Sequence, residues 1–208
     1  RLITIRNGLF AGFLLILVGC TAVTDEVRET VEYAFKDTED AELSADEIEN
    51  FPYTSLYAQW QGKARSLIVL GFINKPNKYH FITADKETLV LENGRVTRTQ
   101  SLDDNLLSVS NLKSDPLRCI VTTPQSCNNR WQRAYDYQFD DGTRVSRDVK
   151  STFMVKQREQ LAMPYGSATA TLVEEAGTFL LTGQRFVNRF WVEPDGHVIK
   201  SEQRIIPN

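Results

Sequence analysis

The sequence predicts a mainly β protein, an antiparallel meander preceded by two short helices near its N-terminus. Three observations lead there. From Ser66 onward apolar residues recur with a period of two between tight-turn signals. No long helical pattern interrupts that region, which argues against a parallel α/β sheet. The only helical stripes lie before it.

At the start of the chain, Arg1 and Arg6 precede an apolar run from Leu9 to Val18, and Gly19 stands directly before Cys20. A positive region, a short apolar region and a small residue at the cut describe an exported leader. With cysteine at the next position, they describe a lipoprotein signal. Cys20 is then the first mature residue and carries lipid. The apolar run falls short of the roughly 20 residues that a membrane-crossing helix needs, so the reading is an anchor that does not span. Thr21 stands where many lipoproteins kept at the inner membrane of Gram-negative bacteria have Asp, which directs the expectation to the outer membrane, periplasmic face. Residues 1–19 are read as signal peptide, 20–43 as lipidated N-terminus, short helix and acidic connection, and 44–208 as one antiparallel β domain.

The next stretch, Asp25 to Lys36, places Val27, Val31, Ala34 and Phe35 on one stripe with acidic residues in its first turn. That is the first short helix. An acidic connection follows, and Ser44 with Glu47 three residues on forms a capping box before Ile48 and Phe51, opening the second helix. Pro52 closes it or opens a turn.

The strands follow in order. Ser66 to Ile73 and Tyr79 to Ala84 are apolar runs, and Thr88 to Leu91 meets Val96 to Gln100 across a turn centred on Asn93-Gly94, a strong hairpin signal. Tyr135, Tyr137 and Phe139 alternate up to Asp140-Asp141-Gly142, and Val145, Val149, Phe153 and Val155 share a parity on the return. Ala168 to Glu174 and Thr178 to Thr182 flank Ala176-Gly177, read as a further turn. Arg185 to Val192 and His197 to Ile205 flank Pro194-Asp195-Gly196.

Charge and cysteines narrow the function classes. Removing Arg1 and Arg6 from a formal charge of −3 leaves about −5, and an acidic domain without a basic stripe lacks the surface that nucleic-acid binding uses. Cys119 and Cys127 are the remaining thiols, and an even pair in an exported chain favours a disulfide. Closing so short a loop contributes about 2.6 kcal/mol in the chain-entropy model. Their spacing is not that of a metal site, and His80 and His197 lie far away in sequence. No metal or cofactor is expected.

Catalytic motifs for acyl, phosphoryl or hydride transfer do not occur in the sequence. Adjacent carboxylates at Asp103-Asp104, Asp140-Asp141 and Glu174-Glu175 point to opposite faces of a strand or sit in turns, so they are poor acid/base couples. No catalytic residue is assigned. Aromatic residues concentrate on strands, where packing is their ordinary role and stacking on sugar rings the alternative. Arg95, Trp131 and Trp191 are the candidates either to tie the sheet together or to present a partner or glycan surface.

Several stretches resemble a known family. They are Pro52-Tyr53-Thr54-Ser55-Leu56, Phe81-Ile82-Thr83-Ala84-Asp85, Asn93-Gly94-Arg95-Val96-Thr97-Arg98-Thr99 and the run from Asn188 to Gln203 that contains Phe190-Trp191-Val192-Glu193-Pro194-Asp195-Gly196. With the lipoprotein signal they are similar to the YjbF/GfcB lipoproteins of exopolysaccharide and group 4 capsule production. Where that family often has Trp, this chain has Tyr79-His80-Phe81. The resemblance implies a curved, LolA-like half-barrel with short helices packed in its concavity. It also implies a role in polysaccharide secretion beside a large outer-membrane β-barrel protein. The functional expectation is a non-enzymatic accessory lipoprotein that binds a partner protein or the polysaccharide. The alternatives are a carrier holding a lipid or acyl chain in the concave face, and a polysaccharide-modifying enzyme.

Overall fold

The structure, a computed structural model, describes residues 40–74 and 76–207. The Cys20 anchor and the helix expected at Asp25 to Lys36 lie outside them. Ser44 caps α1 (Ala45–Asn50) as its spacing predicts: the Glu47 backbone N–H donates to Ser44 Oγ, and the Ser44 N–H donates to the Glu47 carboxylate at 2.8 Å. No residue of α1 is buried. The helix therefore rests on its caps and does not fill a concavity, contrary to what the resemblance implies. The space between the sheets is filled by other residues.

Eleven strands follow: β1 (Ser55–Gln59), β2 (Arg65–Asn74), β3 (Lys78–Ile82), β4 (Thr88–Glu92), β5 (Arg95–Gln100), β6 (Asn105–Val109), β7 (Arg130–Gln138), β8 (Arg144–Met163), β9 (Gly166–Phe179), β10 (Arg185–Val192) and β11 (Val198–Glu202). They form two curled antiparallel sheets, β1-β2-β3-β4-β5 and β11-β10-β9-β8-β7-β6, in which every neighbour in space is a neighbour in sequence. The predicted meander is present, divided into two half-barrels. Between β6 and β7 the chain makes two 3-10 turns, Leu112–Ser114 and Pro116–Arg118, and then the loop closed by the Cys119–Cys127 disulfide.

One core fills the space between the sheets. Ile68, Phe81, Leu89 and Val96 enter from the first, and Tyr137, Val149, Phe153, Val173, Phe179 and Phe190 from the second. Leu117 and Ile120, from the segment before and inside the disulfide loop, complete it. The tail after β11 closes the seam, because the Gln203 carboxamide stands in for a peptide group against β5. It accepts from the Val96 N–H at 3.1 Å and donates to the Gly94 carbonyl at 2.9 Å.

Two of the expected turns have opposite outcomes. Asn93 and Gly94 have φ of 49° and 76°, the left-handed pair the hairpin requires. Ala176-Gly177, in contrast, is not a turn: β9 runs straight through it, with Ala176 opposite both Thr152 and Val187. Gly177 faces inward beneath the Phe186 ring, and a Cβ there would run into that ring. The glycine makes room for an aromatic neighbour. The chain reverses instead between β8 and β9, at Pro164-Tyr165.

Candidate functional site

Where the two sheets meet, the core contains a closed set of charges. Each member lies on the inward parity of a strand otherwise lined by large apolar residues. Arg133 falls between Trp131 and Tyr135 on β7, Ser151 between Val149 and Phe153 on β8, Glu175 between Val173 and Gly177 on β9, and Asn188 between Phe186 and Phe190 on β10. From the other sheet Arg95, the first residue of β5, reaches across, and Asp115 arrives from the turn segment.

The geometry leaves few polar atoms idle. Arg95 Nε and Nη2 donate to the two oxygens of Asp115 at 2.5 and 3.2 Å, and Arg95 Nη1 donates to Glu175 Oε2 at 2.9 Å. Arg133 Nη2 donates to Glu175 Oε1, Ser151 donates to the same oxygen at 2.8 Å, and Asn188 Nδ2 to Oε2 at 3.0 Å. Tyr135 Oη accepts from Arg133 Nε at 3.1 Å. Trp131 lies against both cations, with its ring centre 4.6 Å from the Arg95 guanidinium carbon and 4.0 Å from that of Arg133, while its indole N–H donates to the Asn111 carbonyl. Arg95, Arg133 and Glu175 are at most 2% exposed and Asp115 4%.

Two cations and two carboxylates cancel. Burial alone would raise the Glu175 carboxyl, but Arg95 and Arg133 hold it below the ordinary carboxylate range. Burial would likewise depress Arg95, and Asp115 and Glu175 overcome it, so the guanidinium stays charged. The phenols of Tyr135 and Tyr137 are pushed up, first of all by burial. With its charges mutually engaged and shut off from solvent, the cluster is suited to locking one sheet on the other. It is not placed to meet a substrate.

This corrects the surface reading of the three sequence candidates. Arg95 and Trp131 come together inside the molecule and tie it together. Trp191 is also buried, but on the outward side of β10, where its indole N–H donates to Glu159 at 2.7 Å and Lys200 lies 4.4 Å from its ring. None of the three is free to contact a glycan. Cys119 and Cys127 are bonded, with Cα atoms 5.5 Å apart. The loop they close begins four residues after Asp115, so disulfide and ion pairs fix the same crossing segment.

The paired carboxylates behave as strand alternation requires. Glu175 is in the cluster, while Glu174 faces out to Lys156 and Arg189. Asp104 accepts from the backbone N–H of Asp140 at a turn. His80 stacks on Phe72 at 4.1 Å, and burial first, then Arg98 and Lys78, lower its pKa. Among the described residues no group of three His, Cys, Asp or Glu is placed to hold a metal, and no helix is long and apolar enough to cross a membrane. A groove of about 370 Å³ runs along β6, β7 and β8, lined in part by Ser108, Asp136, Arg144 and Ser146. It is open, and Leu107, Tyr137 and Val145 complete its lining.

Comparison with known proteins agrees with this architecture. The family model of the group 4 capsule polysaccharide lipoproteins gfcB and YjbF matches residues 28–208. The uncharacterized lipoprotein GfcB of Escherichia coli K12 is 29% identical over 194 residues, which cover 93% of this chain and 89% of that one. The uncharacterized lipoprotein YjbF of the same organism is 28% identical over 190 residues, covering 91% and 86%. The crystal structure of the hypothetical lipoprotein YmcC from Escherichia coli K12 superposes with a TM-score of 0.75 at 25% identity, over 90% of each chain. The match takes in both sheets, the crossing segment and every member of the charge cluster, and the chain belongs to the YjbF family of group 4 capsule polysaccharide lipoproteins.

Proposed function

We propose that the protein is an accessory lipoprotein of capsule or exopolysaccharide production, anchored through Cys20 to the periplasmic face of the outer membrane and acting by binding, not catalysis. The observation that carries this reading is the family match across residues 28–208. The interior supports the binding half of it. The buried charges Arg95, Arg133, Asp115 and Glu175 are engaged with one another in holding the sheets together. Its partners are an outer-membrane β-barrel protein of a polysaccharide secretion system and the polysaccharide itself.

The acyl-carrier alternative has little to stand on, since the space between the sheets is occupied by core side chains. Deleting the gene in a strain that makes the polymer, and restoring it in trans, tests the proposal. Loss of surface polysaccharide with recovery on complementation is expected. Normal surface polymer in the deletion strain would refute it.

A further inference from the structure

The outward face of the second sheet carries an unneutralised basic block, and we infer that it is a docking surface for a polyanionic polysaccharide. Strand register places the residues. Gln132, Lys150, Thr178 and Arg185 form one row across β7, β8, β9 and β10. Arg130 and Thr152 begin the neighbouring row, which continues through Ala176 and Val187. All eight lie on the solvent side, opposite in parity to the buried cluster.

The charge pattern of the block is one-sided. Neither row contains a carboxylate, and none of Arg130, Lys150 and Arg185 has an ion-pair partner among the described residues. On a chain with 27 acidic against 24 basic residues, three such cations on one outward face are a local reversal of sign. Carboxylates reappear only at its borders, with Asp148 on one side and Glu174 on the other, and Glu174 is already paired with Lys156 and Arg189. Strand spacing sets Lys150 and Arg185 about 10 Å apart and Arg130 about 8 Å from Lys150, so one extended chain with repeated negative charges can engage all three. Gln132, Thr152 and Thr178 lie between them with amide and hydroxyl groups suited to sugar hydroxyls. A sheet face offers no enclosing pocket, and an extended polymer needs none.

The inference rests on the proposed role in polysaccharide production, and its test is built so that the two can fail separately. The mature chain is titrated with polygalacturonate, with neutral dextran and with phosphatidylglycerol vesicles, at low and high salt. The same is done with the triple variant Arg130→Glu/Lys150→Glu/Arg185→Glu, and with Lys63→Glu as a control for charge reversal elsewhere. Expected is binding to polygalacturonate and not to dextran, weakening as salt rises, at least tenfold weaker in the triple variant and unchanged in the control, with equal melting temperatures.

Binding that is insensitive to the triple change, absence of polygalacturonate binding at low salt, or a preference for the vesicles overturns it. Should the triple variant melt early, Lys150→Gln alone is read in its place, and a loss of at least threefold is required. If titration fails while gene deletion still removes surface polymer, this surface is wrong and the broader role stands. If deletion has no effect, the broader role falls regardless.

Discussion

At the scale of single residues, the organising fact is that a carboxylate, Glu175, sits at the bottom of an apolar interior between two arginines. Removing one partner of a buried ion pair leaves the other uncompensated and costs about 3–5 kcal/mol. Glu175→Gln leaves two cations facing one carboxylate, and a loss of that size is expected in the urea-unfolding free energy. The pH dependence has a definite sign. Since the folded-state pKa of Glu175 is depressed, its contribution is fully present above the ordinary glutamate pKa and is lost as pH falls through the lower folded value. Denaturation midpoints followed into acid should fall more steeply for the wild type than for the Gln variant. Parallel acid limbs would contradict the assignment. Part of this cluster is legible in the sequence, because Arg133, Ser151 and Asn188 each break an inward-facing apolar line. The sequence does not say that they share one partner, since Glu175 lies 42 residues from Arg133 and 80 from Arg95, and only the curvature of both sheets brings them together.

At the scale of elements, local chemistry and tertiary packing share control. The capping box at Ser44 and the Asn93-Gly94 turn are readable because their hydrogen bonds and backbone angles are satisfied within a few residues. β9 misleads because Ala176-Gly177 has the composition of a turn, whereas Gly177 is required by Phe186, which a single-strand pattern cannot show. Gly94 answers to both constraints: its φ of 76° suits glycine, and a Cβ there would run into the Val198 side chain. Gly94→Val should cost more than the roughly 1–2 kcal/mol of the left-handed conformation alone. It should also cost more than Gly142→Val, where φ is 81° and a Cβ would meet no atom within 4 Å. Thermal melts of the two variants decide it, and equal losses would count against the β11 contact. Reducing Cys119–Cys127 should lower stability by about 2.6 kcal/mol or less and keep the strand signal in circular dichroism, since Asp115 still holds the crossing segment to Arg95. Collapse of that signal on reduction would show the ion pairs to be insufficient.

For the molecule as a whole, two half-barrels locked by internal charge leave the outside as the surface open to partners, and the proposed role holds that surface at the membrane through Cys20. Cys20→Ala should abolish labelling by a clickable fatty acid, and label persisting on the variant would remove the anchor from the account. In the proposed role the protein acts stoichiometrically, as a bound component of polysaccharide production. An enzyme turns over and tolerates depletion; a component that must be bound does not. Surface polysaccharide measured per cell across a graded depletion of the lipoprotein separates the two. Polymer is expected to fall in proportion to copy number. Output held level until only a few per cent of the copies remain would contradict it.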